Sequence, residues 1–222
     1  MTLARRLTAE ALGTAMLLAI VIGSGIMGEE LAGGNVAIAL LANSLATGAG
    51  LAVLILVFGP VSGAHLNPLV TLAEAVRAGL DWRDVPLYVA AQIAGAFAGA
   101  ATAHLMFAKP LFSASAHARA GLPMMWSEVV ATFGLITVVL VVSKTRPPAT
   151  PFAVGAYIAA AYWFTASTSF ANPAVTLARM ASDTFAGIRP ADVPGFLAAQ
   201  VLGAVAAVAL YRWLFGRSAR NG

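Results

Sequence analysis

One apolar phrase occurs twice in this chain, and each copy starts a helix too short to cross a membrane. The copies are Ser62-Gly63-Ala64-His65-Leu66-Asn67-Pro68-Leu69-Val70-Thr71-Leu72-Ala73 and Ser169-Phe170-Ala171-Asn172-Pro173-Ala174-Val175-Thr176-Leu177-Ala178. Their shared pattern is Asn-Pro-x-Val-Thr-Leu-Ala. An Asn side chain caps the free N–H groups at a helix start, and Pro fits the first turn because it has no N–H to lose. Each phrase therefore predicts a half-helix. In a bilayer, interrupted helices are tolerated only inside protein or beside a water-filled path.

The bilayer setting follows from the rest of the chain. Of its 222 residues, 60% are hydrophobic and 10% charged, whereas soluble domains carry about 25% charged residues. The apolar segments have helical length, about 20 residues, rather than the shorter alternating strands of a barrel. The absence of cysteine excludes disulfides, thiol catalysis and thiolate metal sites. The net charge of +4 reads as basic flanks of membrane spans, and nothing resembles a nucleic-acid recognition helix. Arg5 and Arg6 precede the first apolar run as in a signal peptide. That run continues too far, Glu10 interrupts it and no cleavage site clearly ends it, so it is read as a retained span.

Six spans are expected, near residues 9–27, 36–58, 85–107, 124–143, 152–167 and 193–215. Gly59-Pro60 is expected to break the second span. The half-helices are expected to run from Asn67 to about Ala78 and from Asn172 to about Ala181. With both termini inside, nine basic residues lie on the inner side: Arg5, Arg6, Arg77, Arg83, Lys144, Arg146, Arg212, Arg217 and Arg220. Lys109, Arg119, Arg179 and Arg189 lie outside. This bias predicts cytoplasmic termini in a cell membrane, a bacterial inner membrane by preference.

The chain also repeats on a larger scale. Asp84-Val85-Pro86-Leu87-Tyr88-Val89-Ala90-Ala91-Gln92 returns as Asp192-Val193-Pro194-Gly195-Phe196-Leu197-Ala198-Ala199-Gln200, and Glu10 is echoed by Glu128. The order Glu, Asn-Pro, Gln thus occurs twice, in repeats of about 1–110 and 122–222 within a single domain, 1–222. Each repeat has three spans, so the second enters from the opposite side. Such inverted repeats bring paired broken helices to the bilayer midplane. The expected fold class is an all-α membrane protein with six transmembrane helices and two re-entrant half-helices.

These motifs resemble the aquaporin, or major intrinsic protein, family over nearly the whole chain. The resemblance rests on the two Asn-Pro motifs at matching places, the Ser-Gly-x-His-x-Asn-Pro block, and Glu10 with Glu128. It implies a homotetramer with one pore per subunit in membrane lipid, a small neutral solute as permeant, and neither cofactor nor catalysis. Asn67 and Asn172 would then donate to a passing oxygen, while Glu10 and Glu128 brace the loops and His65 lies beside carbonyls facing the pore. The first motif departs from the family in ending in Leu69. The larger departure is Val175, which stands where the family usually has Arg. The remaining constriction positions then fall on Thr47, Ser169 and one residue in the fifth span. Counting from Asn172 gives Ala160, counting from Gly155 gives Tyr162, and both stay open. Arg179 lies one turn beyond Val175. It is expected to reach the outer surface, the alternative being that it partly replaces the missing charge.

The favoured function is a passive channel for water, glycerol-like polyols and neutral metalloid acids such as arsenous acid, through a wide filter without Arg. A secondary transporter is the alternative, because it too uses inverted repeats and broken helices. No Ser/His/Asp or metal-ligand cluster at sensible spacing supports an enzyme.

Overall fold

The computed structural model describes residues 1–216, so Arg217 and Arg220, expected on the inner side, lie outside the described residues. Eight α-helices follow one another: α1 (Leu3–Leu31), α2 (Val36–Ser62), α3 (Pro68–Val76), α4 (Val85–Met106), α5 (Leu122–Thr145), α6 (Thr150–Phe164), α7 (Pro173–Arg179) and α8 (Val193–Phe215). Helices dominate because a chain in lipid must satisfy its backbone internally. Large side chains on the outer faces, among them Leu45, Val53, Trp126, Leu202 and Val205, are exposed, as a lipid-facing surface requires.

Among the described residues five helices are long and apolar enough to cross a membrane: α1, α2, α4, α5 and α8. The expected fifth span is shorter. It is α6, with 15 residues, which covers only about 22 Å of helix axis. Thr165 turns extended there (φ −114°, ψ 137°), so the chain leaves the helix early and dives back into the protein. The expected break at Gly59-Pro60 is also corrected. Helix α2 runs through Pro60 to Ser62 and stops at Gly63, whose φ of 92° is left-handed. Pro60 sits in the last turn, where its missing N–H costs one bond rather than a helix, while the left-handed terminator suits glycine.

The two halves are built alike. Helix α1 packs on α2 and α4, and α5 packs on α6 and α8, with α2 against α6 joining the halves. The contacts are close because small residues line them. A Cβ built on Gly95 or Gly99 would run into the carbonyl oxygens of Ala11 and Ala15, respectively. The Gly-x-x-x-Gly spacing of α4 is thus matched by carbonyls four residues apart on α1. Gly99→Leu is expected to cost at least about 1–3 kcal/mol by forcing α1 and α4 apart. Thermal unfolding of the purified protein in detergent measures this, and an unchanged midpoint would mean the pair can separate freely.

Candidate functional site

Each half-helix is entered through a strained loop held by a buried carboxylate. Before Asn67, Ala64 and Leu66 have φ of 48° and 49°; before Asn172, Ser169 and Ala171 have 51° and 47°. These are left-handed conformations at the same offsets from each Asn, and each is unfavourable for an L-residue. The fully buried Glu10 accepts from His65 N (2.9 Å), Leu66 N (2.8 Å), Ser62 Oγ (2.6 Å) and Gln92 Nε2 (2.8 Å). Glu128 accepts from Phe170 N (2.9 Å), Ala171 N (2.9 Å) and Gln200 Nε2 (2.7 Å). A buried charge is tolerated when several donors satisfy it, and here those donors are the loop N–H groups themselves.

The half-helices meet start to start. Asn67 Oδ1 caps Leu69 N (2.9 Å), and Asn172 Oδ1 caps Ala174 N and Val175 N (3.0 and 3.3 Å). The amide nitrogens reach across. Asn67 Nδ2 donates to Ala171 O and Asn172 Nδ2 to Leu66 O, both at 2.8 Å. One hydrogen of each amide is thereby used on the opposite loop, and the second remains available. Leu69 turns away from this centre into a cluster with Ile136, Leu140, Ala204 and Ala207. Its side chain differs from Ala174 without touching the Asn pair's cavity.

A cavity of about 520 Å³ runs past both Asn residues. One end is lined by Arg6, Glu74, Arg77 and Ser143, and the other by Thr47, Tyr162, Ser169, Val175 and Arg179. Leu17, Val21, Leu51, Ile55, Leu135 and Ile158 supply an apolar wall between them. Gly63, Ala64, His65, Ser169 and Phe170 also line it, and their carbonyls accept no hydrogen bond from the described residues. His65 is half-buried, its Nδ1 3.1 Å from Thr71 Oγ1. Of the two counts through the fifth span, the one that reaches Tyr162 leads into the cavity. Tyr162 donates to Thr47 Oγ1 (3.3 Å). Ala160 instead is exposed on the far face of α6, because residues 165–171 are not helical and a helical count through them loses register.

The basic residues are the main surprise. Arg179, expected at the outer surface, is 2% exposed, and Arg119, expected among outer-loop charges, is 6% exposed. Arg179 donates through Nε to Ala186 O and lays its guanidinium 3.4 Å from the Phe170 ring centre. Arg119 lies 5.0 Å from that ring centre and donates to Gly187 O (2.7 Å), Ser167 O (3.3 Å) and Phe185 O (3.4 Å). Carbonyls of the 185–187 loop thus fold both arginines inward, and no charge pattern along the chain marks that.

The family model for major intrinsic proteins matches residues 1–166. The chain belongs to the major intrinsic protein family. Aquaglyceroporin AqpS of Rhizobium meliloti (strain 1021) is 56% identical over 213 residues, covering 96% of this chain and 91% of the relative. The glycerol uptake facilitator protein of Pseudomonas aeruginosa is 40% identical over 100 residues, 45% of this chain and 34% of that protein. The solved aquaglyceroporin of Plasmodium falciparum shares the fold, with a TM-score of 0.75 at 24% identity over 98% of this chain and 97% of that one. As a major intrinsic protein the chain is a multi-pass membrane channel and not an enzyme.

Two threonines of this major intrinsic protein complete the braces. Thr71 Oγ1 donates to Asn67 O (3.1 Å) and accepts from Gln92 (2.9 Å). Thr176 Oγ1 donates to Asn172 O (2.8 Å) and accepts from Gln200 (2.8 Å). Each Thr stands four residues after its Asn in both copies of the phrase, which was the available signal.

Proposed function

We propose that this chain, as one channel domain of two repeats (about 1–110 and 122–222), passes small neutral solutes: water, glycerol-like polyols and neutral metalloid acids such as arsenous acid. The observation that carries this reading is the two-sided lining of the cavity. Asn67, Asn172 and free loop carbonyls form a polar track, and Leu17, Val21, Leu51 and Ile55 face it with an apolar wall. A solute with hydroxyls on one edge and carbon on the other exchanges hydrogen bonds along the track and is not held by the wall. Thr47, Tyr162, Ser169 and Val175 form the filter, and none of these four side chains carries a charge. The half-helix N-termini, each equivalent to roughly half a positive charge, disfavour protons and cations at the centre. The chain works as a homotetramer with both termini cytoplasmic, the orientation that the basic inner loops favour.

Stopped-flow light scattering on proteoliposomes tests the reading, with sorbitol and glycerol challenges and tracer uptake of arsenous acid. Flux of glycerol and arsenous acid that is linear in concentration supports it. Water flux alone would show that Tyr162 and Arg179 narrow the constriction to water. Saturation with dependence on an ion gradient would indicate a transporter.

A further inference from the structure

We propose that Arg179 is the cation-excluding residue of the outer constriction, displaced by one helical turn from Val175. The inference rests on the channel reading above. Residues four apart share a helix face, so Val175 and Arg179 look into the same cavity, and both line it.

The state of the guanidinium points to that role. Arg179 is almost fully buried, yet no carboxylate among the described residues forms an ion pair with it. Only its Nε is hydrogen-bonded, to Ala186 O. Its two terminal nitrogens bond to no described residue. The guanidinium of the neighbouring Arg119 likewise pairs with no carboxylate among the described residues, but its Nε, Nη1 and Nη2 are all tied to backbone carbonyls. Glu74 holds the same place in the first half-helix that Arg179 holds in the second, seven residues after Asn. Glu74 is neutralised by Arg77 at 2.9 Å. Arg179 alone of these keeps an uncompensated charge on the cavity wall.

A buried, unpaired charge with idle donors is expensive unless those donors meet water or solute. Phe170 clamps one face of the guanidinium at 3.4 Å, a cation–π contact that fixes its plane and leaves an edge free. A neutral hydroxyl solute can accept from that edge. A cation meets a fixed positive charge about one turn (~5.4 Å) away, which disfavours its passage by about a hundredfold at the effective dielectric of such sites. Width and charge are thereby set by different residues: the short Val175 leaves room, and Arg179 supplies the field.

The test compares the wild type with R179Q, R179M, R179K and V175R/R179Q, each full-length in proteoliposomes. Cation flux is read with a pH-sensitive dye under an imposed potential and with sodium tracer. Glycerol flux is read in parallel, and folding by thermal unfolding in detergent. In folded R179Q or R179M the ratio of cation to glycerol flux is expected to rise about a hundredfold. R179K should stay closer to the wild-type ratio, and V175R/R179Q should restore exclusion because the guanidinium returns to the same face. A folded R179Q or R179M with the wild-type ratio overturns the proposal. So does misfolding of both, which would make Arg179 a structural prop. Wild-type vesicles with neither water nor glycerol flux would instead defeat the channel reading, so the two failures are separable.

Discussion

Glu10→Gln is expected to destabilise the channel by about 3–6 kcal/mol, since an NH2 group on either side displaces two charge-assisted hydrogen bonds of about 1.5–3 kcal/mol each. Four donors converge on this carboxylate, two of them backbone N–H groups of the left-handed loop. A carboxylate accepts from all four. An amide presents an NH2 group to at least one of them, so a donor faces a donor. Charge-assisted bonds contribute about 1.5–3 kcal/mol each, and the loop loses the compensation for its positive φ values at Ala64 and Leu66. Glu128→Gln should cost less, because three donors rather than four depend on it. Thermal unfolding of the two variants in detergent checks the size and the order. If E10Q unfolded within about 1 kcal/mol of the wild type, the carboxylate would not be the brace described.

The second large effect is on selectivity. Val175→Arg places a long cation in the cavity between Thr47, Tyr162 and Ser169. Glycerol flux should fall about tenfold further than water flux, equivalent to ~1.4 kcal/mol of extra barrier for the larger solute. The new side chain also lies one turn from the unpaired Arg179, so two like charges share that end of the cavity. The single substitution should therefore restrict flux more than V175R/R179Q does. Paired water and glycerol measurements on vesicles decide the matter. Equal losses for both solutes would place the size-determining constriction elsewhere.

Much of this arrangement could be read from the residues in order. Asn followed by Pro carries its own helix start, and the structure caps both half-helices with those side chains. The apolar runs gave the long helices because lipid leaves the backbone few alternatives. What could not be read was the course of the non-helical chain. Thr165 is extended and Thr168, Ser169 and Ala171 are left-handed, and no propensity scale predicts those three at positive φ. That stretch sets the register between α6 and Asn172, which is why the two counts to Ala160 and Tyr162 disagreed. The arginines were misplaced for a related reason. A charge in a loop reads as surface unless something buried can hold it, and here the holders are carbonyls of Phe185, Ala186 and Gly187. Any sequence supplies carbonyls, so they leave no signature.

The crossed amide bonds at the centre also bear on how the molecule is made. Asn67 finishes the loop of the second half, and Asn172 finishes the loop of the first. Partners more than a hundred positions apart along the chain must meet before either loop is complete. Contacts of such long sequence separation are slow to form. The long helices can insert and pair as they are synthesised, but the conducting centre belongs to neither repeat alone and closes only when the later one arrives. A nascent chain halted before Ala171 and Asn172 would lack a partner for Asn67 and for Leu66 O, so the paired centre can assemble only after both halves are made.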